Sequence, residues 1–277
     1  MRRRKLEEMF FKALMVLSTL AVSACLFLII GTIVVKGVPY LNWDMISKIP
    51  DGGYYFGRSG GMLNAIVGSL YIAGGATIIG LLISIPVSIY LNVYLKKSNA
   101  FGKLAKLSFD VLFGVPSIVY GAFAFSLMVY LGVRASLLGG IIAVTLLIIP
   151  IMVRTLDEVV TTVPKELKEA VLALGATRWE TAKVYIRQIR PGILTAILLA
   201  FGRGVGDVAA VMFTAGFSDH IPVSLNEPAA TLPLAVFFQL SSPIPEVQGR
   251  AYASALILTI FILIIVVLTT ILTKKRN

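Results

Sequence analysis

An arginine and an aspartate lie four residues apart inside an apolar segment of the sequence. In AFGRGVGD, at 200–207, Arg203 and Asp207 would share one face of a transmembrane helix. An unpaired charge at mid-bilayer costs at least about 2.5 kcal/mol, so such residues seldom lie there without a role. The guanidinium offers permanently charged, bidentate donors for an oxyanion, and the carboxylate could hold that fork in place. The alternative is a self-neutralising pair that only aids assembly.

Four further polar side chains could line a path for a substrate. Arg154 and Asp157 would form a pair at i and i+3 near the inner end of a helix, either along the path or as an anchor at the interface. Ser117 and Tyr120 follow Pro116, where carbonyls released by the proline need a neighbouring group or water. Kinks are expected at the three prolines of the apolar segments, which are Pro86, Pro116 and Pro150.

A polar segment between two apolar ones, at 164–190, predicts a capped helical hairpin. Pro164 can begin a helix, and Gly175 stands where its left-handed C-cap belongs. Thr177 and Glu180 form a Thr-x-x-Glu capping box that starts a second helix. The hairpin could lie on anionic lipid, but two separately capped helices better fit a knob presented to a groove of a partner protein. The apolar residues of the second helix fall on one face: Trp179, Ala182, Ile186 and Ile189.

Motifs for hydrolysis are weak or missing. The residues GRSGG at 57–61 fit GxSxG, but Ser59 lies in a glycine-rich loop and the only histidine, His220, lies in another loop. A rhomboid-type intramembrane serine protease is therefore a remote alternative. The sequence has no HExxH, no Cys/His cluster and no GxxxxGK[ST], so it predicts no catalytic residues, no metal site and no ATPase site of its own.

Six apolar segments must position these residues. The chain has 277 residues, of which 57% are hydrophobic and 14% charged, outside the range of soluble domains. A membrane crossing needs about 20 apolar residues. The predicted fold is a single all-α bundle over 12–273, between tails at 1–11 and 274–277, with outer loops at 37–61 and 218–248. Its crossings are expected at about 12–35, 62–95, 107–131, 136–154, 193–217 and 250–273. The apolar stretch from Ala229 to Leu240 is too short to cross, so it should lie in the interface or dip inward.

The basic residues predict the orientation of this bundle. The net charge is +11, and most of the 25 Lys and Arg lie in the two tails, in the connection at 96–106 and in the segment at 154–190. By the positive-inside rule, both termini and these connections face the cytoplasm of a cell in whose inner membrane the protein lies. Lipid is therefore a partner. No basic patch is interleaved with aromatics, which argues against nucleic acid.

The residues around Gly175 resemble the EAA loop of ABC-importer permeases. Glu169, Ala170 and Val171 precede Gly175 at the spacing of that loop. Further strings are similar to the phosphate-specific permeases of this family: EAVLALGATRWETAK, GVPSIVYG, IVGSLYIAGGATIIGLLISIPVSIYL, AFGRGVGD and ATLPL. The sequence departs from the family pattern in having Arg187 and Gln188 for Leu-Pro, Asp207 for Glu and Ala210 for Pro.

The resemblance implies a MetI-like permease of an ABC importer for inorganic phosphate. Its partners would be a homologous second permease, a dimer of an ATP-binding subunit that holds ATP and Mg, and an extracytoplasmic phosphate-binding protein, so the chain itself needs no cofactor. Molybdate, tungstate or sulfate are alternative substrates, and a passive anion channel is an alternative class. The residues expected to dock on the ATPase are Glu169, Ala170, Gly175, Ala176, Thr177, Trp179 and Glu180.

Overall fold

A computed structural model describes residues 2–51, 60–95 and 98–274. Regular structure in these ranges is helical, and a 3-10 turn (Val38–Tyr40) and a π-helical turn (Tyr90–Tyr94) follow α1 and α3. The α-helices are α1 (Arg2–Gly37), α2 (Trp43–Ser47), α3 (Leu63–Ile89), α4 (Ala100–Phe113), α5 (Ser117–Tyr130), α6 (Leu137–Thr161), α7 (Lys165–Ala173), α8 (Arg178–Gln188), α9 (Arg190–Val205), α10 (Leu232–Leu240) and α11 (Pro245–Lys274).

Four helices in the described ranges are long and apolar enough to cross a membrane by themselves: α1, α3, α6 and α11. Two bent pairs raise this number to as many as six when each pair is taken as one span: α4 with α5, which meet at 101°, and α9 with α8 of the hairpin at 164–190, which meet at 66°. The central helices α3 and α6 pack along most of their length, with α9 against both and α1 outside against α11. The prediction of an all-α bundle is confirmed, but two of its crossings are not straight helices.

The third crossing breaks at an elbow between α4 and α5. A kink at Pro116 was expected within the crossing at 107–131, and the structure shows a full break there, because Pro116 lacks an N–H and keeps the preceding residue out of the helical region. The Tyr120 hydroxyl donates to the Leu112 carbonyl oxygen at 2.7 Å and so ties the two arms together. Pro86 and Pro150, by contrast, lie inside the continuous helices α3 and α6.

The fifth crossing is also shorter than expected. A helix over 193–217 was predicted, but α9 ends at Val205. Gly206 occupies the C-cap, and the Asp207 carboxylate Oδ2 accepts the N–H of Ala210 at 2.7 Å. An aspartate that binds backbone N–H groups in this way competes with continued helical hydrogen bonding. The chain therefore leaves the helix inside the apolar segment.

The segment at 206–231 packs against the bundle without a regular helix. Its backbone is buried against the long helices: the Ser136 N–H donates to the Thr214 carbonyl at 2.9 Å, and the Asn64 amide donates to the Ser218 carbonyl at 2.6 Å. The Leu232 N–H donates to the Ser69 hydroxyl at 2.8 Å. Irregular backbone at membrane depth is tolerated where protein groups satisfy it. The predicted short apolar stretch forms α10, which is buried along one side.

Candidate transport path and docking hairpin

The Arg203–Asp207 pair forms at the end of α9. The Arg203 Nη1 lies 2.7 Å from Oδ1 of Asp207. The Asp207 side chain is only 3% exposed, whereas that of Arg203 is 42% exposed. Asp207 thus has one oxygen on the guanidinium and the other on the N–H of Ala210. The carboxylate holds the arginine, and the arginine remains accessible.

Arg203 opens into a groove between α9 and α11. The groove is lined mainly by apolar side chains of the two helices, together with Thr195, Thr269 and Thr270. Gly202 lines it, and a Cβ there would meet nothing closer than 3.8 Å, whereas a Cβ on Gly204 would lie 3.1 Å from the Val144 side chain. One glycine of this segment therefore leaves the groove open, and the other lets α9 pack closely on α6.

Arg154 and Asp157 do not pair with each other. The Nε of Arg154 donates to Glu158 at 3.0 Å, and its Nη1 pairs with Asp110 of α4. The predicted i, i+3 pair is therefore wrong. The cause is the elbow at the third crossing, which lays α4 across the end of α6. Asp110 and Lys106 of α4 therefore lie beside α6, where an unbroken third crossing would not have placed them.

Asp157 belongs to a cluster that the sequence did not reveal. Its Oδ1 accepts the Lys106 ammonium at 2.6 Å and the Asn92 amide at 2.7 Å. Lys106 also donates to Asn92 at 3.1 Å, and Asn92 donates to the Ser88 carbonyl at 2.9 Å. Asp110, a charge inside the predicted crossing at 107–131, was the available signal that α4 carries ion-pair partners for α6. The cluster joins the ends of α3, α4 and α6.

Ser117 and Tyr120 lie at the elbow rather than on the groove of Arg203. Ser117 begins α5, and Tyr120 is buried in the main core beside Ala210. The cleft next to Tyr120 is lined almost entirely by apolar groups, including Phe109 and Phe123. The two residues thus contribute to the packing of the bent crossing, and the structure does not bring them to the Arg203 side chain.

The predicted hairpin at 164–190, formed by α7 and α8 and called the docking hairpin below, has the caps that its sequence predicts. Gly175 has φ +78°, and the N–H of Ala176 donates to the Val171 carbonyl at 3.3 Å. The Thr177 N–H donates to the Glu180 carboxylate at 2.8 Å, while the Glu180 N–H donates to the Thr177 hydroxyl at 3.3 Å. These backbone and hydroxyl donors lower the pKa of Glu180. The corner between α7 and α8 is therefore fixed by local hydrogen bonds.

One face of the hairpin is buried and another is uncovered. Ala182, Tyr185 and Ile189 pack into a cluster with the ends of α3 and α6. Leu174 and Trp179 are 87% and 60% exposed. Trp179 was expected on the same face as Ala182; it instead points away, with the Lys183 ammonium 5.3 Å from its ring centre. Of the remaining predicted docking residues, Glu169, Ala170, Gly175, Thr177 and Glu180 are exposed and Ala176 is half-buried.

The protease alternative gains no geometric support. Ser59 lies outside the described residues. His220 lies in an exposed loop, where its Nδ1 is 3.2 Å from Oδ1 of Asp219. The Ser218 hydroxyl donates to the His220 backbone carbonyl at 3.1 Å, but no serine hydroxyl among the described residues is hydrogen-bonded to the imidazole.

Residues 84–277 match the family of binding-protein-dependent transport system inner membrane components. This range includes the docking hairpin and the Arg203–Asp207 pair. The chain belongs to this family, whose members are transport components.

Curated relatives are similar over nearly the whole chain. The phosphate transport system permease protein PstA of Haemophilus influenzae is 34% identical over 250 residues, which are 90% of this chain and 87% of that protein. PstA of Pasteurella multocida is 33% identical over 282 residues, with 99% and 97% coverage. PstA of Yersinia pestis is 32% identical over 250 residues, with 90% and 84% coverage. The resemblance to phosphate-specific permeases is thus confirmed.

The fold is that of an ABC-importer permease. A chain of the MetNI methionine ABC transporter, solved in inward-facing conformations, aligns with a TM-score of 0.62 at 16% identity. The match covers 78% of this chain and 96% of that chain. The predicted MetI-like, multi-pass membrane fold is therefore confirmed.

Proposed function

We propose that this chain is the transmembrane permease subunit of an ATP-driven importer of inorganic phosphate. The observation that carries the proposal is the hairpin α7–α8, whose rigid corner presents uncovered Leu174 and Trp179. Amphipathic helices that dock into a groove of a partner use such apolar anchors. Phosphate as the substrate is supported by the names of the PstA relatives.

The join between α8 and α9 supports mechanical coupling. Only Ile189 separates the two helices. Its N–H donates to the Tyr185 carbonyl and its carbonyl accepts the N–H of Ile193, both at 2.9 Å, so hydrogen bonding continues through the bend. Ile189 is 3% exposed. A displacement of the hairpin would therefore move α9, whose last turn carries Arg203.

The transport cycle follows from this connection. Closure of a partner ATPase dimer would push on the hairpin at 164–190, turn α6 and α9, and switch the path from inward-open to outward-open. Phosphate released by a binding protein would enter near Arg203, with Asp207 holding the guanidinium. Asp157 would act through its cluster with Lys106 and Asn92, and Arg154 through its pairs with Asp110 and Glu158. Ser117 and Tyr120 would act through the elbow.

The partners follow from the same proposal. We expect a homologous permease of the PstC type, an ATP-binding dimer of the PstB type and an extracytoplasmic phosphate-binding protein of the PstS type. ATP and Mg would be bound by the ATPase, so the chain carries out no hydrolysis itself. The hairpin and both termini would face the cytoplasm of a cell whose inner membrane holds the complex, in agreement with the basic residues on that side.

The hairpin is tested with labelled phosphate uptake into vesicles that carry the whole complex. Gly175→Val should sharply reduce uptake and retention of the ATPase subunit, because a β-branched residue resists a positive φ. Gly132→Val is the matched control: Gly132 has φ +68°, and neither glycine has an atom within 4 Å of an added Cβ. Gly132→Val places the same backbone strain outside the hairpin, so it should leave retention of the ATPase subunit intact. Normal uptake and retention in Gly175→Val would refute the docking role.

The substrate is tested by competition in the same vesicles. Unlabelled phosphate should compete with labelled phosphate for uptake. If molybdate, tungstate or sulfate is taken up in preference, that anion replaces phosphate as the proposed substrate. Arg203→Ala should reduce uptake without loss of the ATPase subunit. Uptake that persists without ATP would instead support a passive channel.

A further inference from the structure

A cavity with a basic lining lies where the docking hairpin meets the end of α3. It has a volume of about 230 Å³ and is lined by the π-helical turn and by both hairpin helices. One water molecule takes about 30 Å³ in the liquid, so the cavity can hold a phosphoryl group together with several waters. It is separate from the groove of Arg203, which lies between α9 and α11.

The charged groups of this cavity are all basic. Lys168 of α7 and Arg178 of α8 line it, and no aspartate or glutamate is among its described lining residues. Arg178 Nη1 donates to the Tyr94 carbonyl at 3.3 Å, which fixes the guanidinium against the end of α3. Within the described ranges, neither cation lies within salt-bridge distance of a carboxylate. Asn92 and Thr181 add polar groups to the wall.

The surroundings strengthen this positive character. A second cavity, on the other side of Asn92 and Leu95, is lined by Lys103 and Lys106. Asp157 compensates the charge of Lys106 but not that of Lys103. In the sequence, Leu95 is followed directly by Lys96 and Lys97, which lie outside the described residues. Both cavities are thus lined by basic groups and by no carboxylate among the described residues.

We propose that this cavity binds a phosphoryl group, supplied by a phospholipid headgroup or by free inorganic phosphate. Arginine and lysine are the usual ligands of such groups, and basic pockets at the cytoplasmic ends of membrane helices bind lipid headgroups. A phosphoryl group held by Lys168 and Arg178 bridges α7 and α8 and lies against the end of α3. Its occupancy stiffens the hairpin against the bundle, at the place where force from an ATPase would enter.

The test measures binding to the purified, nucleotide-free complex. In one arm, native mass spectrometry counts phosphatidylglycerol retained from mixed phosphatidylcholine vesicles. In the other, equilibrium dialysis in neutral detergent measures labelled inorganic phosphate. The double variant Lys168→Gln, Arg178→Gln should bind at least about tenfold more weakly in one arm, because two charge-assisted hydrogen bonds are lost. The arm that responds identifies the source of the phosphoryl group.

Three further variants make the result decisive. Lys183→Gln with Arg187→Gln removes the same charge from exposed positions of α8 and should bind as the wild type does. Leu172→Trp narrows the cavity while keeping both cations, and it should weaken binding too. Arg203→Ala should leave phosphatidylglycerol retention unchanged, and in the phosphate arm it should remove only the phosphate bound in the groove of Arg203. The proposal is overturned if the cavity variants bind as the wild type does, or if Lys183→Gln with Arg187→Gln loses as much binding as they do. It is also overturned if binding is lost only in Arg203→Ala.

Discussion

The Asp207 carboxylate performs two tasks with its two oxygens: one accepts the Arg203 guanidinium and the other accepts the Ala210 N–H, each at 2.7 Å. The same residue therefore orients the cation of the candidate path and ends α9. The two tasks can be separated, because an asparagine retains a side-chain oxygen for the backbone bond but has no charge.

Two substitutions of Asp207 should separate its effect on phosphate uptake from its effect on stability. Asp207→Asn should lower phosphate uptake with a small change in thermal unfolding, because the guanidinium loses its counter-ion while the Ala210 N–H keeps an acceptor. Asp207→Ala should lower both, with a stability loss of about 1–3 kcal/mol for the unsatisfied buried N–H. Uptake and thermal unfolding of the complex would be measured together. Equal destabilisation by both variants would contradict the backbone role.

The capping box should respond to pH. The Thr177 N–H and hydroxyl lower the pKa of Glu180 in the folded hairpin. A depressed folded pKa gives stability that is present above the unfolded value of about 4.3 and is lost as pH falls through the folded pKa. Amide-exchange protection of the first turn of α8 should therefore be constant near neutrality and decrease in acid. Glu180→Gln should remove this pH dependence, and an unchanged acid response in that variant would exclude Glu180 as its source.

The Lys106–Asp157 pair should show measurable coupling. The two side chains are 35% and 16% exposed, between the surface and buried extremes. Lys106→Gln and Asp157→Asn should each destabilise the complex, with a coupling energy on the order of 1 kcal/mol in a double-mutant cycle. Exchanging the charges, with Lys106→Asp and Asp157→Lys, should recover part of the loss. Lys103→Gln on the same helix serves as the control, and additive single effects would mean that the pair does not couple.

Two glycines of α3 should differ in their tolerance of alanine. A Cβ on Gly68 would lie 2.0 Å from the Ala230 carbonyl oxygen, whereas a Cβ on Gly74 would have no atom within 4 Å. Gly68→Ala should displace the 206–231 segment and reduce both unfolding temperature and uptake. Gly74→Ala should be neutral or stabilising by up to about 1 kcal/mol, since alanine favours helix. Similar unfolding temperatures for the two variants would show that the segment does not rest on Gly68.

The sequence predicts best what is determined locally. The hairpin corner depends on Gly175 and on the Thr177–Glu180 box, which lie close together in the sequence around one turn. The structure has both. The end of α9 depends on how Gly206 and Asp207 compete with continued helix, which hydropathy alone favours. The helix predicted for this crossing was therefore too long. The partners of Arg154 depend on the orientation of α4 across α6. Such contacts between distant parts of the chain leave no periodic signal.

The elbow and the early end of α9 also bear on the thickness of the membrane. With 14 and 16 residues, α5 and α9 are about 21 and 24 Å long, against a hydrocarbon core of about 30 Å. The irregular segment at 206–231 follows α9, and α4, which carries Lys103, Lys106 and Asp110, precedes α5. We expect the barrier that an anion must cross beside these helices to be thinner than the bilayer around it, and the match between acyl-chain length and the two short helices to affect the rate of transport.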